Sequence, residues 1–386
     1  MTGLSTMFDV VIIGGGMVGS CCAYECATHG LRTLLLERQD LASGASGRGG
    51  GLLLKGATDA FAPQIVPHLL ANQQLLENFL QCTGADVEYV RGGSLYIAFE
   101  DDWTFTQAQV QQMRSAGLTA ELWDSVALRS ALPALTHKAL GARFIESDAQ
   151  LSPAKLALAF AQAARQAGAE LRTNTTVHGF VGNNHGEITA VQTKNETISA
   201  RHLIFATNAY TARLWPPLET VVTPTRGQAL LTAPLPKSFC FACAVNYDLQ
   251  YWRQTRSGQI LFGGCRRLEV GNAFGSGTDS TETTPEVQEG LKGALFALFP
   301  EWLGAIQVEG SWAGTMGFTP DYKPLIGRLP GHENVLIGAG FSGNGLPLVC
   351  ITASLLRELI IQRSTSLSLS RFDPGRFFSK ERKESV

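Results

Sequence analysis

Three glycine-rich stretches offer the chain's clearest scope for chemistry: Gly14-Gly15-Gly16-Met17-Val18-Gly19, the run "ASGASGRGGGLL" at 42–53, and "GAGFSGNG" at 338–345. Such stretches are poor helices and poor strands, so each is a slack linker, a tight loop, or a place where backbone comes close to a ligand. In the first, glycine holds the first, third and sixth positions of the turn. Gly14 then permits a tight turn, Gly16 lets the backbone approach a pyrophosphate, and Gly19 lets a helix pack closely on a strand. Glu37, 18 residues beyond Gly19, is placed to accept hydrogen bonds from an adenosine ribose.

The surrounding elements suit that chemistry. "FDVVII" at 8–13 is a short apolar, β-branched run, expected of a strand buried on both faces of a parallel sheet. An apolar-periodic helix follows the glycine turn and ends at Gly30, and "LRTLLLE" reads as a second buried strand closing at Glu37. The helix N-terminus of this βαβ unit faces a diphosphate with its free N–H groups. The run at 42–53 follows directly, which leaves no slack for a linker. Further on, 63–80 reads as a helix, "VEYVRGGSLYIAF" as strand, turn and strand, and 104–116 as an amphipathic helix. Ser152 is expected as N-cap of a helix with Pro153 at its first position and Gly168 past its end. "HLIFAT" near 202–207 returns to the buried-strand pattern, so the dinucleotide domain resumes after an insertion. From "VVTPTRGQALLTA" to "QYWRQTRSGQILFGGC" the pattern alternates, as in an antiparallel sheet with one face open to a ligand. A helix is expected around 285–298, and the tail from about 372 is expected to be loosely held.

With 386 residues, 45% hydrophobic and 17% charged, the chain is globular and long enough for two domains. A net charge of -2 gives little attraction for nucleic acid or anionic lipid. The early apolar run contains three consecutive glycines and Glu25, which argues against a signal peptide or a transmembrane segment, and a cytoplasmic location is expected. Eight scattered cysteines suit a reducing compartment: Cys21, Cys22 and Cys26 read as helix core, and the Cys240–Cys243 spacing, with no second pair, reads as chance rather than a metal site. Glu37 disfavours NADP, since a carboxylate repels a 2′-phosphate, although Arg38 beside it softens the point. NAD and FAD remain, and glycine loops spread over the whole chain favour the long, buried FAD.

The order of "VVIIGGGMVGSCCAYECATHG", "LLLERQDLASGASGR", "LIFATNAYTARL", "PTRGQALL", "GQILFGG", "SWAGTMGFTPDYKPLIG" and "NVLIGAGFSGNGL" resembles the FAD-dependent amino-acid oxidoreductases of the D-amino-acid oxidase superfamily, the group of glycine oxidase and the sarcosine oxidases. The resemblance spans nearly the full length. It implies an α/β fold with an α+β second domain: a Rossmann-like FAD-binding domain of discontinuous segments (7–85, 146–220 and 311–370) and an antiparallel-sheet substrate domain (86–145 and 221–310). It extends the cofactor set from Gly14, Gly15, Gly16, Met17, Val18, Gly19, Glu37 and Arg38 to Ser43, Gly44, Ser46, Gly47, Arg48, Gly49 and Gly50. Val177 is implied at the adenine, with Thr207 and Gly314 also near the cofactor. Gly340, Phe341, Ser342, Gly343, Asn344 and Gly345 are implied at the flavin's pyrimidine end, where the following helix N-terminus favours the negative charge of reduced flavin.

Two departures shape the substrate side. Glycine oxidase-like members carry an arginine after "WAG" to grip the substrate carboxylate, where this chain has Thr315 and Met316, a form more like the flavin subunits of heteromeric sarcosine, proline and opine dehydrogenases. The stretch also lacks the cysteine to which monomeric sarcosine oxidases attach flavin, so noncovalent FAD is expected. The reaction implied is hydride transfer from the carbon bearing an uncharged amine to flavin N5, leaving an imine that hydrolyses. The substrate would be an amino acid, N-alkyl amino acid, imino acid or opine. Electrons would pass to O2 or another acceptor, with partner subunits as an alternative arrangement. Lys55, Tyr251 and Arg253 are the expected pocket residues, Lys55 or Arg253 as carboxylate anchor, and no metal is called for.

Overall fold

Phe8–Ile13 pairs in parallel with Thr33–Leu36 on one edge and Thr197–Phe205 on the other. Nearly every side chain of this strand is buried, which is why its sequence is apolar without alternation. The computed structural model describes residues 7–57, 62–245, 250–268 and 280–378. Its first eight-stranded sheet runs Leu325–Leu329, His332–Ala339, Thr197–Phe205, Phe8–Ile13, Thr33–Leu36 and Glu170–Arg172, with Ile188–Thr193 branching from Thr197–Phe205 and Val177–Gly182 pairing with Ile188–Thr193. Helix Met17–Thr28 packs on it together with Pro153–Gln166 and Val349–Ile361. Cys21, Cys22 and Cys26 are buried in that packing, as their spacing predicts.

The second eight-stranded sheet runs Val308–Phe318, Thr223–Thr232, Ile260–Gly264, Gln250–Gln254, Ala242–Val245, Ser94–Ala98, Gly141–Ile145 and Glu121–Asp124. Helix Pro285–Leu298 buries Val287, Leu291, Leu295 and Leu298 against one face. The other face is left to turn towards the first domain. The sheet is antiparallel except where Ala242–Val245 meets Ser94–Ala98 in parallel.

The architecture agrees with the α/β expectation, and several local expectations need correction. The boundary expected at 311 falls inside Val308–Phe318, a strand that pairs with Thr223–Thr232 in the second sheet. Of the two strands expected in 87–99 only Ser94–Ala98 forms, with Val90 making an isolated bridge to Gln150. Ser152 takes the N-cap position without a side-chain cap bond, whereas Pro153 and Gly168 (φ +94°) sit as expected. The tail is held at least to 378: Phe372 is buried, and Arg376 pairs with Asp321 at 3.0 Å. Residues 379–386 lie outside the described residues. All eight cysteines are free, and the described residues contain no metal-ligating cluster. No described helix is long and apolar enough to cross a membrane.

Candidate active site

The glycine turn is tight at every position that matters. Gly14 has φ +111°, and a Cβ there would lie 2.6 Å from the Ala206 carbonyl oxygen. A Cβ on Gly19 would lie 1.8 Å from the Gly14 carbonyl oxygen, so the helix rests directly on the turn. At Gly16 the nearest atom is Ser46 Oγ at 2.9 Å, and the same oxygen accepts a hydrogen bond from Met17 N at 2.9 Å. Glu37 holds the turn from the side: Oε2 accepts from Gly15 N at 2.6 Å and Oε1 from Gln39 N at 2.8 Å. Each carboxylate oxygen keeps a further lone pair for a ribose hydroxyl.

Two cavities meet at this turn and share Gly16, Ala45, Ser46, Ala206 and Asn208. One, of about 190 Å³, is lined by Gly14, Glu37, Arg38, Ser43, Gly44, Val177, Thr207 and Tyr210. The other, of about 240 Å³, is lined by Met17, Val18, Arg48, Gly49, Gly50, Gly314 and the loop from Phe341 to Gly345. Bare backbone at the waist, a helix N-terminus beside it, and an acid in one lobe fit an adenine dinucleotide, and the larger lobe fits its flat ring. Gly15, Gly19, Gly47 and Gly340 line neither lobe, and Gly19 has the helix-packing place expected of it. They shape the backbone behind the lining: a Cβ on Gly47 would meet the Ala42 carbonyl oxygen at 2.2 Å, and Gly340 (φ +69°) donates its N–H to Asn208 Oδ1 at 2.9 Å.

On the ring side, Arg48 lines the cavity and also clamps the glycine run to the second sheet. Its Nε donates to the Ser43 carbonyl at 3.2 Å, its Nη1 to the Ala313 carbonyl at 3.0 Å, and its own carbonyl accepts from Trp312 Nε1 at 2.9 Å. Gly314 makes room for the arginine stem, since a Cβ there would lie 3.0 Å from Arg48 Cβ. The Tyr251 ring lines the cavity between Gly50 and Gly263, where added Cβ atoms would lie 2.5 and 2.4 Å from ring carbons. Burial pushes its phenol up, against a smaller opposing pull from Arg266, so the group is protonated at neutral pH.

Lys55 and Arg253 line neither cavity. Lys55 Nζ is buried on Asp148 Oδ1 at 2.9 Å and the Ser147 carbonyl at 2.6 Å. Arg253 Nε donates to the Gly50 carbonyl at 2.6 Å, and burial draws its guanidinium down from the usual value. Arg253 supports the glycine run from behind and Lys55 is tied to the 147–148 segment, so the expectation that either meets a substrate carboxylate is corrected. Arg266 lines the chamber in their place, with its guanidinium 5.1 Å from the Phe318 ring centre. Positive φ at Gly264 (+131°) and Cys265 (+53°) turns the chain there. The "GGC" run signals that turn, but nothing in it says where the next side chain lands.

Other residues of the site carried no sequence signal. Asn208, at φ +45°, touches both cavities, and Asn72 on helix Val66–Thr83 accepts from Cys350 N at 2.8 Å and Ile351 N at 3.3 Å. Asn72 thereby takes up two N-terminal donors of helix Val349–Ile361, whose first residue, Val349, lines the ring-side cavity. Arg38 lies over the Tyr210 ring at 4.2 Å on the wall of the smaller lobe. No cysteine lines either cavity among the described residues.

A model of the family DAO, FAD dependent oxidoreductase, matches residues 9–359. The chain is 28% identical to hydrogen cyanide synthase subunit HcnC of Pseudomonas aeruginosa over 97% of both chains. It is 27% identical to glycine oxidase of Geobacillus kaustophilus over 97% of this chain and 98% of that one. Among solved structures, L-proline dehydrogenase from P. horikoshii superposes with a TM-score of 0.88 at 24% identity, covering 97% of this chain and 99% of that chain.

Proposed function

The chain belongs to the DAO family of FAD-dependent oxidoreductases, enzymes that act on amino-acid C–N bonds, and we propose that it oxidises the amine of a small amino acid, N-alkyl amino acid, imino acid or opine. The observation that carries this reading is the wall of the ring-side lobe, where Tyr251 and Arg266 offer a phenol and a guanidinium beside apolar Leu54, Trp312 and Met316. That pairing suits a substrate with a carboxylate at one end and a C–H that must lie flat against the ring. Bound FAD supplies the hydride acceptor, and the resulting imine hydrolyses. The protein's share is to bind and orient the neutral amine. Residues 341–345 and Arg48 line this lobe and would hold the ring, and Tyr251, kept protonated by burial, would donate a hydrogen bond to a carboxylate oxygen.

An anaerobic titration of the purified protein with sarcosine, proline, glycine, D-amino acids and opines tests the proposal. Bleaching of the flavin by at least one of them is expected, and no bleaching by any amine overturns the reading. The similarity to HcnC, named as a subunit, favours a second arrangement in which this chain passes electrons to partner subunits. In that case substrate bleaches the flavin of the lone chain while oxygen uptake stays negligible.

A further inference from the structure

We propose that Thr315 is a cofactor ligand whose hydroxyl donates a hydrogen bond to the ADP half of FAD. Side chains alternate along Val308–Phe318: Gly314 and Met316 line the ring-side lobe, while Thr315 between them lines the smaller lobe with Glu37, Ser43 and Val177. Thr315 is 4% exposed, and its Oγ1 has no hydrogen-bond partner. The nearby hydroxyls are satisfied, since Thr207 Oγ1 and Thr211 Oγ1 bond each other at 3.0 Å and Thr211 also donates to the Asn208 carbonyl at 2.8 Å. Other buried hydroxyls lacking a partner among the described residues, Ser20 and Thr352, lie on helices and line neither lobe. An unpaired hydroxyl in a buried strand is costly, and a valine of the same shape avoids the cost. Phosphate and ribose oxygens are the acceptors that an ADP moiety brings into this lobe.

The test uses apoprotein titrated with FAD by quenching of flavin fluorescence, with ADP as competitor. Thr315→Val keeps the shape and deletes the donor; it is expected to raise the Kd for FAD roughly 5- to 30-fold and to weaken ADP by the same factor. Thr315→Ser is expected to restore both affinities. Thermal unfolding of the Thr315→Val apoprotein is expected at or above the wild-type temperature, a result that a merely structural hydroxyl would not give. Unchanged FAD affinity overturns the proposal, as does FAD weakened with ADP unchanged, or a destabilised apoprotein that serine fails to rescue. Wild-type apoprotein that takes up no FAD would instead count against the cofactor assignment.

Discussion

Lys55→Met should lower stability substantially while leaving substrate affinity alone. Lys55 and Asp148 both have side chains with 0% exposure, and Asp148 is held at three points. Its Oδ1 accepts from Lys55 Nζ at 2.9 Å and Lys55 N at 3.1 Å, and its Oδ2 accepts from Ser94 Oγ at 2.7 Å. Removing the ammonium strands a carboxylate where water cannot reach it, and breaking a buried pair in this way costs about 3–5 kcal/mol. For a chain of this size, at about 2 °C per kcal/mol, the apparent Tm should fall by roughly 6–10 °C. Replacing both partners, Lys55→Met with Asp148→Leu, should recover most of that loss, because no charge is left unpaired. The assay is thermal unfolding of the holoenzyme followed by circular dichroism and flavin release, alongside KM for whichever amine bleaches the flavin. A Tm within about 2 °C of wild type, together with a many-fold rise in KM, would refute the reasoning and return Lys55 to the substrate.

Gly16→Val should abolish FAD retention in a protein that still folds, since even a Cβ at Gly16 lies 2.9 Å from Ser46 Oγ at the waist between the two cavities; absorbance of the purified protein and far-UV circular dichroism check it. Gly263→Ala puts a methyl 2.4 Å from Tyr251 Cζ and should raise KM with FAD still bound, whereas equal loss of flavin would contradict a role for Tyr251 confined to the substrate. Burial raises the thiol pKa of Cys21, Cys22 and Cys243, and takes Cys26 to about 12, so at pH 8 the Cys26 thiolate fraction is on the order of one in ten thousand. Alkylation of the native protein at that pH should therefore mark exposed Cys82 first and spare these four, with rates read by mass spectrometry.

The βαβ unit was legible because its rules are local. Gly14 and Gly19 are glycine for reasons contained within the turn and the helix resting on it, and Glu37 lies one short strand away. The placement of lysine and arginine was not legible. Lys55 follows the glycine run and reads as a residue entering a chamber, yet its partner lies 93 positions away on a turn that only tertiary packing brings near. Arg253 does share a strand face with Tyr251, as the spacing of two implies, but its longer side chain curls back onto the Gly50 carbonyl. Spacing says which face a side chain leaves from, and packing decides where its charged end arrives.

The same limit explains why the dinucleotide turn could be read and the substrate wall of the ring-side lobe could not. The substrate wall takes single residues from several strands: Tyr251 sits opposite Gly263, and Gly227 opposite Gly314, so their adjacency exists only in the register of the sheet. A slip of one residue in Val308–Phe318 would exchange Thr315 and Met316 between the two lobes, giving the ring a hydroxyl and the ADP half a thioether. The tight contacts at Gly227 and Gly314, with Met316 Cε 2.6 Å and Arg48 Cβ 3.0 Å from where a Cβ would stand, oppose such a slip by filling the space a larger residue would need. Glycines on this wall therefore act differently from those of the turn. They hold large neighbours in place, so changes at Gly227, Gly263 or Gly314 should redraw the chamber while the βαβ turn continues to hold its cofactor.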